Sequence, residues 1–224
     1  MNKFRIPAVY LTLALLNLGV GCGNASKPSS TTPRERHMDA EKGDAIAQYN
    51  LAVAYATGIG VQKSPEESVK WCRKSAEQGL SIAQYNLGIA YMRGDGVKRN
   101  PKEAIQWLRK SAEQGNADAQ CCLGIAYIQG DGVERNPHEA VKWFCKSAEQ
   151  GNADAQCNLG LAYVNGLGTT KDVQTAYGWF LLADNGGNKE ASAFLKSIGI
   201  REISQSQQDS ARSWAKQWQP KPAQ

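Results

Sequence analysis

The sequence predicts an all-α solenoid of four 36-residue helix-turn-helix repeats with capping helices. Tryptophan recurs at this spacing without insertions, and a tyrosine recurs in the same register. The apolar residues of each unit follow helical rather than alternating spacing. A fixed period of this length is typical of stacked units, so we expect one elongated array. The four tryptophans, which we expect in the core, are Trp71, Trp107, Trp143 and Trp179.

Each repeat is predicted to hold two helices, A and B, joined by a glycine turn. In the second repeat, helix A covers about residues 82–93, and the phrase Gly-Asp-Gly ends it. Asn100 then suits a helix N-cap, Pro101 suits the first helical position, and Glu103 completes a capping box. Helix B is expected to run to about residue 114, where a glycine follows.

The other repeats carry the same signals, with one exception. Ser64-Pro65 and Asn136-Pro137 open helix B of the first and third repeats. The fourth repeat has Asp172-Val173 instead, so the start of its helix B has the weakest signal. The predicted repeats span about residues 43–78, 79–114, 115–150 and 151–186, followed by a partial fifth.

Both ends of the array are predicted to be covered, because a solenoid must shield its terminal apolar faces. The phrase DAEKG at residues 39–43 mirrors SAEQG, so a shortened helix B is expected just before the first repeat. A fifth helix A is predicted to stop at Gly199, which closes the array at residues 39–200. Ser204 then opens a capping helix within residues 201–219. The apolar stripe of this helix consists of Ala211, Trp214, Ala215 and Trp218.

Several positions recur in every unit in fixed register. In the first unit they are Ala47, Leu51, Tyr55, Gly58, Gly60, Val61, Trp71, Ala76 and Gly79. This pattern resembles the Sel1-like repeat, a relative of the tetratricopeptide repeat with a longer turn, over about residues 43–200. The resemblance implies a right-handed α-α superhelix whose A helices line the concave side. It also implies a role as an adaptor or scaffold for other proteins, in bacteria often in the cell envelope.

One side of each helix A is a candidate binding surface. At about 100° per residue, Tyr49 and Val53 lie opposite Leu51, which we assign with Tyr55 and Trp71 to the core inside the repeat. The opposite side is also apolar, so it either forms a hydrophobic groove or packs between successive repeats. In the tetratricopeptide family these positions line the concave groove. The predicted binding residues are Tyr49, Val53, Tyr85, Ile89, Met92, Arg93, Cys121, Ile125, Gln129, Cys157, Leu161 and Asn165.

The remaining polar residues are predicted to be structural or solvated. Asn50, Asn86 and Asn158 recur identically in helix A, and we expect each to fix the stack through a backbone hydrogen bond. The chain has 26 basic and 21 acidic side chains, formally +5. This excess of positive charge is too small to indicate a nucleic-acid-binding protein, and no basic run is interleaved with aromatic residues. We therefore expect no nucleic-acid partner.

The cysteines are predicted to be small buried hydrophobes. Cys121 and Cys157 occupy equivalent positions one repeat apart, which is farther than a disulfide tolerates between packed helices. There is no C-x-x-C pair, and His37 and His138 lie at no ligand spacing from a cysteine. The sequence therefore predicts no metal site and no cofactor.

Residues 1–21 are predicted to be a secretory signal peptide, because a basic start precedes an apolar stretch too short to span a bilayer. The phrase LGVGC ending at Cys22 resembles a bacterial lipobox, which implies acylation of that cysteine. Ordinary signal peptidase cleavage after Gly21 or Ala25 is the alternative. Residues 22–38 would form a flexible tether and a partial N-terminal cap. We expect an exported protein of the periplasm or cell envelope, attached to a membrane only through Cys22.

The sequence favours a non-enzymatic scaffold or adaptor that binds a peptide or protein partner in the concave groove. A self-assembling structural solenoid is the alternative. A β-lactamase-like enzyme, as suggested for cysteine-rich relatives, has little support. Ser213 and Lys216 match S-x-x-K, but neither S-D-N nor K-T-G is present. We therefore predict no catalytic residues.

Overall fold

The computed structural model describes residues 33–201 and 203–222. Every regular element in these ranges is an α-helix, as predicted. The predicted signal peptide, residues 1–21, and Cys22 lie outside the described residues. None of the described helices is long and apolar enough to cross a bilayer. The helices are α1 (Pro33–Glu41), α2 (Ala45–Thr57), α3 (Pro65–Glu77), α4 (Ser81–Arg93), α5 (Pro101–Glu113), α6 (Ala117–Gln129), α7 (Pro137–Glu149), α8 (Ala153–Asn165), α9 (Val173–Asn185), α10 (Lys189–Arg201) and α11 (Gln205–Gln217).

The first of two compact units extends to Arg99 and holds α1 to α4. Within it, α1 packs on α2, α2 on α3, and α3 on α4. Helix α1 is the shortened helix B expected before the first repeat. The buried side chains of this unit come from all four helices and include Ala40, Leu51, Trp71, Ala83 and Leu87.

The second compact unit begins at Asn100 and holds α5 to α11. Helix α6 packs on α5 and α7, α8 packs on α7 and α9, and α9 also contacts α10 and α11. The capping helix α11 therefore covers an apolar face of α9, as predicted. The core cluster at this end consists of Cys157, Ala176, Tyr177, Phe180, Ala183, Ala191 and Ala211.

The second glycine of the turn between helices A and B lies against the start of the preceding helix B. Gly96 has a φ of +67°, and a Cβ there would collide with the carbonyl oxygen of Pro65. In the second unit, Gly168 has the same relationship to Pro137. The turn requires glycine for both its positive φ and this close approach.

Side-chain caps set the starts of the B helices. The Oδ1 atom of Asn100 accepts a hydrogen bond from the backbone N–H of Glu103 at 3.3 Å, and the caps of the first and third repeats act in the same way. Asp172 caps α9 by accepting from the backbone N–H of Thr175 at 3.0 Å. Aspartate is as good an N-cap as asparagine, so the missing proline does not displace this helix start.

A buried glutamine near the start of each complete helix A donates a hydrogen bond to the C-terminal end of the preceding helix B. The Nε2 of Gln84 donates to the carbonyl oxygen of Ala76 at 3.1 Å, and the Nε2 of Gln156 donates to that of Ala148 at 3.2 Å. The other two repeats have the same bond. These carbonyls lie in the last turn of helix B, where the carbonyl oxygens have no backbone N–H donor within the helix. The glutamines stabilise the repeat by satisfying buried acceptors, a role that was not predicted.

The capping helix α11 begins as predicted. The Oγ of Ser204 accepts from the backbone N–H of Gln207 at 3.3 Å, and the Oε1 of Gln207 accepts from the backbone N–H of Ser204 at 2.9 Å. Ala211 is buried, whereas Trp214 lies over Gly178 of α9, where a Cβ would be 2.8 Å from its Cε3. The absent side chain of this glycine makes room for the indole.

Two expectations about the end of the array were wrong. Trp179 is half-buried rather than core, and its ring meets that of Trp214 edge to face at 5.2 Å. The edge-to-face contact with Trp214 of the capping helix leaves part of the Trp179 indole accessible. The fifth helix A ends at Arg201 instead of Gly199. Glycine also adopts helical φ values, so it marks a helix end only where it takes positive φ.

Candidate functional site

The twelve predicted binding residues are called the A-helix stripe below. In the first unit, all six stripe residues are half-buried. On the opposite side of the same helices, Leu51 and Leu87 are completely buried, which confirms that the core inside the repeat lies on the leucine side. The six residues of the first unit are Tyr49, Val53, Tyr85, Ile89, Met92 and Arg93.

In the second unit, the stripe divides into three classes. The two cysteines are each only 3% exposed, the two aliphatic residues are half-buried, and the two polar residues are exposed at the helix ends. These pairs are Cys121 and Cys157, Ile125 and Leu161, and Gln129 and Asn165. A partner would not reach the cysteines, so they are removed from the candidate surface. Their burial has a direct cause, because the repeats pack together at these positions.

A side-chain contact links A helices one repeat apart. In the first unit, the Nδ2 of Asn86 donates to the hydroxyl of Tyr49. In the second unit, the Nδ2 of Asn158 lies 3.9 Å from the Sγ of Cys121. The expected partner was a backbone group, and this expectation was wrong. Backbone groups inside a helix are already paired with each other, which leaves side chains as the available acceptors.

Burial keeps the ionisable groups beside the stripe neutral. It raises the pKa of Tyr49 to about 12, with a further contribution from Cys72 that the hydrogen bond from Asn86 opposes. Burial also raises the pKa of Cys72 to about 12, and that of Cys157 to about 12. Only a thiolate is a good nucleophile or metal ligand. At neutral pH these groups are therefore protonated and pack in the interior, and Tyr49 and Cys72 also form hydrogen bonds.

The first turn of helix A differs between the two units. Ile46 is 60% exposed in the first unit, and Ile82, one repeat later, is 43% exposed. In the second unit the same register holds Asp118 and Asp154. Each carboxylate accepts a hydrogen bond from the asparagine that precedes the next helix A, at 2.9 and 2.7 Å. The exposed isoleucines extend the apolar surface of the first unit beyond the predicted stripe. Their signal in the sequence is the change from Ile to Asp just before the alanine and glutamine that recur in all four A helices.

The arrangement offers apolar surface and amide groups, which are suited to recognition. Among residues 33–201 and 203–222, no group of three His, Cys, Asp or Glu side chains is placed to hold a metal ion. Ser213 and Lys216, the S-x-x-K pair, are both exposed on α11. Within the described residues, Cys72, Cys121, Cys145 and Cys157 are free thiols.

A known repeat family matches the chain at four consecutive segments, residues 45–80, 81–116, 117–152 and 153–188. It is the Sel1 repeat. The chain belongs to the Sel1 repeat family. Each matched segment holds one helix A and one helix B and begins two residues after the predicted boundary. Sel1 repeat proteins are generally protein-interaction scaffolds.

Two solved structures confirm the helical-repeat fold. A Sel1 repeat protein from Oxalobacter formigenes is 35% identical with a TM-score of 0.71, over 85% of this chain and 77% of its own. A protective antigen present in uropathogenic Escherichia coli strains, described as displaying an SLR fold, is 30% identical with a TM-score of 0.63. The match covers 82% of this chain and 48% of the antigen, so this chain spans about half the length of that protein. Among the curated proteins, no relative was found.

One contact of this Sel1 repeat protein was missed from the sequence. Residues 218–222 follow α11 and lie across the turn between α7 and α8, where Lys221 meets Glu149. The phrase Pro220-Lys221-Pro222 predicted only the end of the last helix. A helix-stop signal is local, so it carries no information about where the following segment docks.

Proposed function

We propose that this Sel1 repeat protein is a non-enzymatic scaffold that binds a peptide or protein partner on the accessible part of its A-helix stripe. The observation that carries the proposal is an aliphatic residue that recurs, half-buried, at one register of four A helices. An apolar side chain that stays accessible in a folded chain is a common contact for a partner helix or an extended peptide. These residues are Val53, Ile89, Ile125 and Leu161.

Polar groups beside the aliphatic residues would orient the partner. Gln129 is exposed and lies one turn after Ile125, so both residues share a helix face. Its amide both donates and accepts, which suits the backbone of a bound peptide. In the first unit, Arg93 takes the register of Gln129 and follows Ile89 by one turn. A guanidinium group at this place favours a partner with a carboxylate.

We further propose that the protein is exported to the periplasm or cell envelope and anchored by an acyl chain on Cys22. Support comes from the sequence of residues 1–22. Cells grown with radiolabelled palmitate should incorporate the label into the wild type and not into the Cys22→Ser variant. A mature, unlabelled wild-type protein cleaved after Gly21 or Ala25 would contradict the anchor.

The stripe is tested by affinity capture from a cell-envelope extract with three forms of the mature protein. One is the wild type, and one carries Ile89→Asp and Ile125→Asp. The matched control carries Gln106→Asp and Lys142→Asp, at two exposed residues of B helices. Captured proteins are identified by mass spectrometry, and the melting temperature of each form is measured. We expect a partner that the wild type and the control retain and the stripe variant loses.

The melting temperatures separate binding from packing. If the stripe variant melts near the wild type, the lost capture reports a contact with the partner. A photo-crosslinking residue at Gln129, compared with one at Gln106, provides a test that leaves the aliphatic residues intact. Equal capture by all three proteins, together with equal crosslinking from both positions, would rule out the stripe as the binding surface.

A further inference from the structure

The segment 218–222 makes three kinds of contact with the turn between α7 and α8. The backbone N–H of Lys221 donates to the carbonyl oxygen of Glu149 at 2.7 Å. The Nζ of the same lysine lies 3.0 Å from the Oε1 of Glu149. Pro220 covers Gly151, because a Cβ at this glycine would lie 3.6 Å from the Cγ of the proline. The segment thus docks through backbone, charge and apolar contact together.

The end of a helix B is chemically suited to such a segment. Glu149 is the last residue of α7, where carbonyl oxygens have no donor within the helix. The negative end of the helix dipole also favours a cation. Gly151 has a φ of +91° and lies in van der Waals reach of both Pro220 and Trp218, so the turn offers the segment an apolar contact beside the helix end. Prolines hold the segment extended before it docks, which lowers the entropy cost of binding.

The surface that residues 218–222 contact at the end of α7 continues beyond this segment. A cavity of about 210 Å³ is lined by Lys221, Pro222, Glu149 and Gln150, and on its other side by Glu113 at the end of α5. Glu113 is exposed and belongs to the same recurring phrase, KSAEQG, as Glu149. A second carboxylate at a second helix end is therefore open beside the one that Lys221 occupies.

We propose that the ends of α5 and α7 form a docking edge for an extended partner peptide that carries a lysine flanked by prolines. Residues 218–222 are the intramolecular occupant of this edge and show the chemistry it accepts. A partner peptide docks by displacing them and extends along the cavity towards Glu113. The edge consists of B-helix ends, so it is a second surface, independent of the A-helix stripe. A tethered segment competes at an effective concentration in the millimolar range, so displacement favours a partner with several such motifs.

The probe is a synthetic peptide with the sequence of residues 217–222, QWQPKP, with blocked ends. It is titrated into the ¹⁵N-labelled full chain and into a full chain with Pro220→Gly and Lys221→Ser, and the amide shifts of Gly151 and Asn152 are followed. We expect the variant to reach half of its maximal shift at a peptide concentration at least fivefold lower than the wild type. Adding Glu149→Lys to the variant should abolish the response, and a peptide with glutamate in place of its lysine should restore it.

Rescue by the charge-swapped peptide requires a folded edge, so it separates lost recognition from lost structure. If the Glu149→Lys chain does not fold, Glu149→Gln replaces it, with an expected reduction of at least threefold in peptide affinity. Absence of a response in the Pro220→Gly, Lys221→Ser chain would overturn the proposal, as would a response that neither Glu149 variant changes. Light scattering adds one more decisive outcome. A doubled mass of the wild type that the Pro220→Gly, Lys221→Ser chain loses would assign the edge to a second copy of this chain instead.

Discussion

The side-chain amide of Asn86 donates a hydrogen bond of 2.9 Å to the hydroxyl of Tyr49, which lies 37 residues earlier. The bond joins the A helices of two successive repeats in the first unit. Asn158 and Cys121 have the same sequence separation in the second unit, at 3.9 Å between Nδ2 and Sγ. The register that stacks one repeat on the next is therefore marked by a polar contact between half-buried or buried side chains.

Replacing Asn86 with alanine should lower the free energy of unfolding by about 1 kcal/mol, because a part-buried hydroxyl loses its donor. The measurement is chemical denaturation monitored by circular dichroism. Asn50→Ala is the matched control, since Asn50 has the same register in the first helix A and is exposed. We expect the control to change stability by less than about 0.5 kcal/mol. Equal losses in the two variants would show that the contact with Tyr49 contributes nothing specific.

The free energy of unfolding should fall at alkaline pH, partly through Cys72. Burial raises the pKa of this thiol from 9.0 to about 12, and that of Tyr49 from 10.0 to about 12. Between these values the unfolded chain releases protons that the folded chain retains, so unfolding becomes more favourable as pH rises. The stabilisation is complete below pH 9 and is lost progressively towards pH 12.

Cys72→Ala isolates the thiol from the other alkaline groups. Denaturation at pH 8 and pH 10.5 should show a loss of stability that is about 2 kcal/mol smaller in the variant than in the wild type. Each protein is compared with itself at the two pH values, so the packing cost of the substitution, which is the same at both, cancels from the change in free energy of unfolding. Parallel pH profiles would mean that the thiol is not the responsible group.

Gly124→Ala should destabilise the third repeat, although alanine favours helices more than glycine does. A Cβ at this position would lie 2.5 Å from the Cδ1 of Phe144 on the neighbouring helix α7. Overpacking of this kind costs about 1–3 kcal/mol. The first repeat holds Ala52 and Cys72 at the same two registers, which pairs a larger residue with a smaller one.

Combining Gly124→Ala with Phe144→Leu provides the control, because the smaller side chain makes room for the new methyl group. The double variant should lose less stability in guanidinium denaturation than the sum of the two single variants. Strict additivity would indicate that the glycine is required for a reason other than the phenylalanine ring.

Asp172→Ala should lower the free energy of unfolding by about 1 kcal/mol at pH 7 through loss of the α9 cap. Hydrogen bonds from the side chain and backbone of Thr175 lower the pKa of this carboxyl below its usual 3.8. The stabilisation is therefore present above pH 4 and decreases as pH falls through the folded-state pKa. Denaturation at pH 7 and pH 2.5 measures both values. Asp172→Asn should keep most of the cap at either pH, and a penalty for Asp172→Ala that grows in acid would contradict the assignment.

Local signals predicted the helices closely. Helix A of the second repeat was expected at residues 82–93 and spans Ser81–Arg93. The N-caps at Ser64, Asn100 and Asn136 were found where the proline phrases indicated. Each of these signals depends on residues within about four positions of one another, so it predicts a helix end without any information on packing. Gly199 shows where such local signals fail. The fifth helix A was expected to stop there but continues to Arg201, because glycine also adopts helical φ values.

The candidate surfaces were less predictable. Periodicity showed that both sides of each helix A are apolar, but it gave Ile125 and Cys121 the same status. In the structure Cys121 is buried and Ile125 is half-buried. The contact between Lys221 and Glu149 spans 72 residues and follows from no periodic pattern.

The sequence by itself determined the number of repeats, the two helices in each and the caps and turns that bound them. Those features depend on the dihedral and hydrogen-bonding preferences of a few neighbouring residues. Only the tertiary structure decided which apolar side chains remain accessible, what the asparagines and glutamines bind, and where residues 218–222 dock. These outcomes depend on which side chains the fold brings together from distant parts of the chain, and solvent access is a property of that packing.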